Sequence, residues 1–162
     1  MSVAPAKIDE TIAALRTLLG DRLNTSRAIL DRHGKDETFH VAYPPDAVAF
    51  ARSAEEVSQI VKICAANRTP IIPYGTGTSL EGHIAALQGG VCIDVSQMDK
   101  VLKVNPEDLD VTVQPGVTRK QLNEYLRDLG LFFPIDPGAD ASLGGMTATR
   151  ASGTNEVRYG TM

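Results

Sequence analysis

A stretch of glycine and small hydroxyl residues spans residues 73–82, directly after the apolar run at residues 70–72. These side chains cannot build a core, but they let backbone N–H groups and hydroxyl donors approach a ligand without steric hindrance. Unpaired N–H donors with fixed directions at the end of a buried strand suit an anion. We therefore interpret residues 73–82 as a cradle for a diphosphate.

The spacing of the glycines differs from that of two familiar phosphate loops. Gly77 and Gly82 have the separation of the P-loop glycines, but His83 and Ile84 stand where a lysine and a hydroxyl residue must follow. A dinucleotide fingerprint of the Rossmann type needs a third glycine where Leu80 stands. Both loops are therefore disfavoured, and a glycine-rich turn without a ligand stays open for this stretch taken alone.

A second stretch with few large side chains spans residues 137–153. Ser142 is a candidate N-cap for a short helix that begins at Leu143. The N-terminus of such a helix can also receive phosphate. Two small-residue stretches far apart in the sequence predict a ligand long enough to touch both, as a dinucleotide is.

Composition and charge bound the class of protein. The chain has 162 residues and a formal net charge of −4, which is enough for one domain with one sizeable core. It has no basic patch and no tryptophan, so nucleic acid is not an expected partner. No signal peptide and no uncharged apolar run of membrane length is found, which predicts a soluble chain without a transmembrane segment. Cys64 and Cys92 lack CxxC spacing and neighbouring histidines, so we expect buried free thiols in a reducing compartment and no metal site.

The first half of the chain has the pattern of an α/β unit. Apolar periodicity predicts a helix from Ile8 to Leu19, and a shorter helix at residues 26–31 ends before His33. A strand is predicted at residues 47–50, and a helix that begins with a capping box of Ser53 and Glu56 presents one apolar face. The apolar residues of that face are Val57, Ile60, Val61 and Cys64.

A further strand at residues 71–72 makes a βαβ unit, which places the glycine-rich loop at the carboxyl end of a parallel strand. His33 and His40 are interpreted as surface or loop residues.

The second half changes to antiparallel signals. A buried strand at residues 91–95 is followed by a predicted hairpin of residues 101–104 and 110–114. Thr118 and Gln121 form a capping box for a helix that Gly130 ends. The residues predicted on its apolar face are Leu122, Tyr125, Leu126 and Leu129.

Several motifs follow one another in order along the chain. They are YGTGTSLEGH at residues 74–83, GGV at 89–91, QPGV at 114–117, DPGADAS at 136–142, GGM at 144–146 and RYGTM at 158–162. Together they resemble the FAD-binding domain of the vanillyl-alcohol oxidase type, the PCMH fold. Within that superfamily they are most similar to the branch of D-lactate dehydrogenase (cytochrome) and the glycolate oxidase FAD subunit. The resemblance runs from about Pro44 to the last residue without a break.

The resemblance implies an α/β (α+β) fold in which a parallel βαβ lobe is followed by the start of an antiparallel-sheet lobe. It implies a PCMH-type domain at residues 44–162, an N-terminal helical segment at residues 1–43, and FAD extended between the two lobes. The first loop would hold the pyrophosphate through backbone donors, and the second stretch would line the flavin. The implied FAD-binding residues are Pro73, Tyr74, Gly75, Thr76, Gly77, Thr78, Ser79, Leu80, Pro137, Gly138, Ser142, Gly144, Gly145, Thr149, Ala151, Ser152 and Gly153.

Some relatives attach FAD covalently through a histidine inside the first loop. Here the loop holds none before His83, so the resemblance implies non-covalent FAD. His83 itself is interpreted as a structural residue beside the cradle.

The activity implied by the resemblance is oxidation of a D-2-hydroxy acid, with electrons passed to cytochrome c, quinone or another acceptor. The catalytic base and the groups that hold the substrate carboxylate would lie beyond Met162, so no catalytic residue is assigned. The chain is then expected to be an inactive amino-terminal piece of a longer protein, cytoplasmic or peripheral to the inner membrane. A non-catalytic flavin- or nucleotide-binding module and a truncated product that binds nothing remain the alternatives.

Overall fold

The computed structural model describes residues 7–162. These residues divide into two compact units, of which one ends at Val95 and the other runs from Ser96 to Met162. The predicted boundary between residues 43 and 44 stays a prediction. No helix between residues 7 and 162 is long and apolar enough to cross a membrane.

The first unit contains three helices and four strands. In chain order they are α1 (Ile8–Leu19), a 3-10 turn (Gly20–Arg22), β1 (Leu23–Asn24), α2 (Arg27–His33), β2 (Ala47–Phe50), α3 (Ala54–Ala66), β3 (Ile71–Tyr74) and β4 (Val91–Asp94). The strands form one sheet in the order β1-β2-β4-β3. Because β2 and β3 both pair in parallel with β4, the predicted parallel βαβ unit is confirmed, with β4 inserted between its two strands.

The core of this unit follows the apolar pattern of the sequence. Strands β2 and β4 are nearly continuous apolar runs, as is typical of parallel strands covered on both faces. Cys64 and Cys92 are buried free thiols, as predicted. On α3, Ile60 and Cys64 are buried, whereas Val61 is 40% exposed, so the predicted apolar face is narrower than expected.

The capping box predicted at the start of α3 is only half formed. The Ser53 hydroxyl accepts a hydrogen bond from the Glu56 N–H. The Glu56 carboxylate instead accepts hydrogen bonds from Arg22 and from the Arg52 N–H. The Glu56 carboxylate therefore binds the Arg22 guanidinium and the Arg52 N–H instead of the Ser53 N–H that a complete capping box would use.

The second unit is an antiparallel hairpin with short helices. Its elements are β5 (Val101–Asn105), β6 (Asp110–Val113), α4 (Arg119–Leu126), a 3-10 turn (Arg127–Leu129), α5 (Leu143–Ala148) and α6 (Glu156–Tyr159). The predicted hairpin is confirmed by the antiparallel pairing of β5 with β6. The complete capping box of Thr118 and Gln121 is also confirmed.

The core of this unit lies between α4, α5 and the segments that flank them. Its buried residues are Val117, Leu122, Leu126, Ile135, Ala141, Leu143 and Met146. Tyr125 and Leu129, both predicted on the apolar face, are 57% and 48% exposed. The chain tightens into the 3-10 turn after Leu126, and this turn takes Leu129 out of the helical repeat.

Candidate functional site

The glycine-rich loop begins at the carboxyl end of the parallel strand β3, as predicted. No backbone N–H group from residue 75 to residue 84 donates a hydrogen bond to any other residue that the structure describes. Five of these ten residues are partly exposed and four are exposed. The loop therefore presents a run of free backbone donors, as the interpretation of an anion cradle requires.

Several side chains of the loop are hydrogen-bonded to one another. The Thr76 and Thr78 hydroxyl oxygens lie 3.1 Å apart and bond to each other. The Ser79 hydroxyl donates to the Glu81 carboxylate. Glu81 is exposed, so solvent and salt screen its repulsion of a diphosphate. Leu80 is 64% exposed and makes the loop surface apolar at that position.

Gly77 has a backbone conformation that other residues rarely adopt. Its φ angle is +68°, and a Cβ atom there would lie 2.6 Å from the Tyr74 hydroxyl. The Tyr74 side chain therefore lies against the loop that its own strand leads into. The positive φ favours glycine at this position, and a Cβ atom would displace the Tyr74 side chain.

A buried polar group behind the loop was missed by sequence reasoning. His33, predicted as a surface or loop residue, is only 3% exposed, and its Nε2 lies 2.8 Å from Asp94 Oδ2. Helix α2 packs on β2 and brings the ring against Tyr74. Burial raises the pKa of the Tyr74 phenol, and Asp94 and Cys92 add to that rise while Arg32 opposes it. Because Asp94 is far from His33 in the sequence, no local pattern could have shown the pair.

The other two histidines lie on the surface. His40 is exposed, as predicted, and its ring lies beside Gly82. His83 is exposed at the end of the loop.

The second small-residue stretch contains α5, with Ser142 at the predicted N-cap position. The Ser142 hydroxyl makes no capping bond. It is buried and has no hydrogen-bond partner among residues 7–162. A buried hydroxyl without a partner costs roughly 1–3 kcal/mol, so this atom suits a ligand contact.

The expectation that the N-terminus of α5 receives phosphate needs correction. The Leu143 N–H donates to the Val117 carbonyl at 2.8 Å, and the Gly144 N–H donates to the Pro115 carbonyl at 2.9 Å. These donors are no longer free, and among the first three helical residues only the Gly145 N–H stays unpaired within the described part of the chain. Gly144 also lines an apolar cavity with Pro115 and Leu143. An aromatic ring suits these surroundings better than a phosphate does.

Backbone contacts bring the two ends of this stretch together. A Cβ atom at Gly153 would overlap the Asp136 carbonyl, so residues 136 and 153 touch through their backbones. The Ala151 N–H donates to the Met146 carbonyl at 2.9 Å. Thr149 bonds back to the Gly145 carbonyl, and the Gly138 N–H donates to the Asp136 carboxylate. Pro137 and Ser152 are exposed, and Ala151 is partly buried.

Metal ligation finds no support in the part of the chain that the structure describes. Residues 7–162 contain no group of three or more histidine, cysteine, aspartate or glutamate side chains that could hold a metal ion.

Comparison with known proteins gives the family of this chain. Residues 45–162 match the family model described as "FAD binding domain". The chain belongs to this family of PCMH-type FAD-binding domains. The predicted family, fold class and FAD cofactor are thereby confirmed.

The similar curated proteins are named as D-lactate dehydrogenases and as a glycolate oxidase subunit. The chain is 56% identical over 162 residues to "Probable D-lactate dehydrogenase, mitochondrial" of Danio rerio, covering 99% of this chain and 33% of the relative. It is 54% identical over 155 residues to "D-lactate dehydrogenase [cytochrome], mitochondrial" of Arabidopsis thaliana, covering 94% and 27%. It is 33% identical over 142 residues to a glycolate oxidase subunit of Bacillus subtilis (strain 168), covering 86% and 30%. The chain thus spans about a third of the length of the curated relatives that it matches.

A solved structure of alkyldihydroxyacetonephosphate synthase is similar over 99% of this chain and 33% of its own, with a TM-score of 0.86 and 27% identity. Each small-residue stretch, taken by itself, has groups that fit a part of FAD. The free N–H groups of residues 75–84 suit its diphosphate. The unpartnered Ser142 hydroxyl, with the apolar cavity beside Gly144, suits a ring with polar edges.

Proposed function

We propose that this chain is the FAD-binding part of an oxidoreductase that oxidises a D-2-hydroxy acid, D-lactate or glycolate, to the 2-oxo acid. Electrons would pass to an acceptor such as cytochrome c or quinone. The observation that carries the proposal is the run of unpaired N–H donors at residues 75–84 in a chain of an FAD-binding family. The names of the Danio and Arabidopsis relatives support D-lactate, and that of the Bacillus relative supports glycolate.

The FAD contacts that we propose come from both small-residue stretches. In the first stretch, backbone N–H groups would hold the diphosphate without a lysine, and non-covalent binding follows from the lack of a histidine at residues 73–82. In the second stretch, the Ser142 hydroxyl would find a partner on the ligand. The proposed contacts are Pro73, Tyr74, Gly75, Thr76, Gly77, Thr78, Ser79, Leu80, Pro137, Gly138, Ser142, Gly144, Gly145, Thr149, Ala151, Ser152 and Gly153.

FAD, when bound, supplies the acceptor for the hydride that leaves C2 of the hydroxy acid. The residues of this chain would bind and orient it and keep water from its buried edge. Oxidation also needs a base and groups that hold the substrate carboxylate. No residue of this chain is assigned either role.

The test uses protein expressed from the complete reading frame that contains this chain. The protein is expected to purify with an FAD absorbance spectrum, and denaturation is expected to release the FAD because it is not covalently attached. Under anaerobic conditions D-lactate or glycolate should bleach the flavin absorbance, while L-lactate serves as the matched control. Retained FAD that no 2-hydroxy acid bleaches would indicate a non-catalytic flavin module. A protein that binds no added FAD would overturn the proposal.

The cellular location stays a prediction. The sequence predicts a cytoplasmic protein or one peripheral to the inner membrane, whereas the Danio and Arabidopsis relatives carry mitochondrial names. Fractionation of the source cells with an antibody to the chain would distinguish these compartments.

A further inference from the structure

His33 and Asp94 form a buried polar pair in the first unit. The side chains are 4% and 5% exposed, and His33 Nε2 lies 2.8 Å from Asp94 Oδ2. The other ring nitrogen, Nδ1, lies 2.9 Å from the Ile29 carbonyl oxygen. A carboxylate and a carbonyl are both acceptors, so each ring nitrogen must carry a hydrogen to make its bond. The geometry therefore fits the charged imidazolium form of His33.

The ring of His33 packs against the residue that leads into the glycine-rich loop. Its centroid lies 4.4 Å from that of Tyr74 and 5.8 Å from that of Phe50. Tyr74 is the last residue of β3, and its carbonyl accepts a hydrogen bond from the Val95 N–H at 3.1 Å. Its hydroxyl is the atom that a Cβ at Gly77 would meet first. Contacts thus run from Asp94 through His33 and Tyr74 to Gly77.

We propose that His33 is a positioning residue for the FAD diphosphate. Its ring, held at both nitrogens by Asp94 and Ile29, fixes the Tyr74 ring against Gly77, and Tyr74 in turn fixes the directions of the loop N–H groups. This inference rests on the proposed binding of FAD by residues 73–80. An ordinary core histidine would add stability to the fold but would not change the affinity of the loop for its ligand.

The groups around the ring decide which hydrogen bonds it can make. Asp94 faces it from β4 and Tyr74 from β3, while Arg32, Asp94 and Cys92 act electrostatically on Tyr74. Burial raises the pKa of both the Cys92 thiol and the Tyr74 phenol, so these two groups stay neutral near neutral pH. Each of the two ring contacts of His33 depends on a hydrogen on its own nitrogen, because both partners are acceptors.

The test compares FAD affinity in the full-length protein and two variants, by quenching of flavin fluorescence. In Asp94→Asn the amide can donate or accept, so the ring keeps both hydrogen bonds and FAD affinity is expected to stay close to that of the wild type. In His33→Gln the dissociation constant for FAD is expected to rise about tenfold, a change of about 1.4 kcal/mol.

A control separates positioning from loss of stability. The buried hydroxyls of Thr11 and Thr69 lie 2.7 Å apart near the amino end of β3, away from the loop. Thr11→Val should therefore lower the thermal stability and leave FAD affinity unchanged. If His33→Gln lowers stability but binds FAD as the wild type does, His33 has no positioning role.

A second readout needs no FAD. NMR is expected to detect a hydrogen on each ring nitrogen of His33, because both partners are acceptors, and the absence of either hydrogen would overturn the proposal even if His33→Gln fails to fold. Failure of the wild type to bind FAD would instead refute the proposed function, so the two failures are distinguishable.

Discussion

Gly77 is the residue at which the loop conformation can be tested most directly. In Gly77→Ala the new Cβ would meet the Tyr74 hydroxyl, and the φ of +68° would be strained. A left-handed conformation costs a non-glycine residue roughly 1–2 kcal/mol. The loop should adopt another conformation that relieves this strain. FAD binding must then return the loop to its original conformation, and the free energy of binding is reduced by the free energy of that strain. We expect FAD affinity to fall about tenfold in a flavin fluorescence titration.

Gly20 provides the matched control for backbone strain. Its φ is +57°, and a Cβ atom there would have no neighbour within 4 Å. Gly20→Ala should lower the free energy of unfolding by about 1–2 kcal/mol and leave FAD affinity unchanged. Equal losses of affinity in the two variants would show that the effect of Gly77→Ala is general strain rather than a change in the loop.

Individual residues differ in how well the sequence predicts their environment. Cys64 and Cys92 are buried as expected, because each falls in a local apolar pattern. His33 was predicted at the surface, because its partners Asp94 and Tyr74 come from strands far away in the sequence. Ser142 was placed correctly as the residue before α5, but its lack of a capping bond depends on rotamer and packing.

Helices and strands with strong periodicity are predicted well, and short or remote features are not. The pattern at residues 8–19 predicted α1, and alternation around a turn predicted the β5–β6 hairpin. Strand β1 was missed, since two residues carry no periodicity. The N-terminus of α5 could be located from sequence, but the carbonyls of Pro115 and Val117 that occupy its donors could not.

The contact between the first 3-10 turn and α3 gives a prediction for stability against pH. Arg22 donates two hydrogen bonds, of 2.6 and 2.7 Å, to the two carboxylate oxygens of Glu56. Hydrogen bonding from Arg22 holds the pKa of Glu56 below its usual value, although burial opposes this effect. A carboxyl group with a lowered folded-state pKa stabilises the fold above its unfolded pKa. This stabilisation is lost as the pH falls through the folded value.

Glu56→Gln should therefore lower the free energy of urea unfolding by about 1 kcal/mol at neutral pH. At the lowest pH at which the protein stays folded, the difference from the wild type should shrink, because the wild-type carboxyl is then protonated too. Glu55→Gln is the control, since Glu55 lies in the same helical turn and makes no contact with Arg22. An equal destabilisation by Glu56→Gln at both pH values would contradict the role of the ion pair.

Across the whole chain, the sequence predicts the ligand better than it predicts the contacts. Motifs in order along residues 44–162 identified an FAD-binding domain, which the family match at residues 45–162 confirms. The donors that are free, however, depend on which backbone groups the fold has already paired. That pairing is a property of the three-dimensional structure. It divides the proposed contacts into residues whose backbone N–H group is free and residues whose N–H group already donates to another part of the fold.

Amide hydrogen exchange, measured by NMR with and without FAD, tests this division in both units. Without FAD, the N–H groups of residues 75–84 and of Gly145 should exchange close to the unprotected rate, while those of Leu143 and Gly144 exchange slowly. Excess FAD stabilises the folded state by mass action, by about 2.7 kcal/mol when the free FAD concentration is a hundred times the dissociation constant. This stabilisation slows the exchange of N–H groups that exchange only when the protein unfolds. Leu143, which is not among the proposed contacts, reports that global effect. Protection gained at residues 75–84 and Gly145 must then come from contact with FAD or from closure of the loop around it. If only one unit gains such protection, the residues of the other unit are removed from the proposed site.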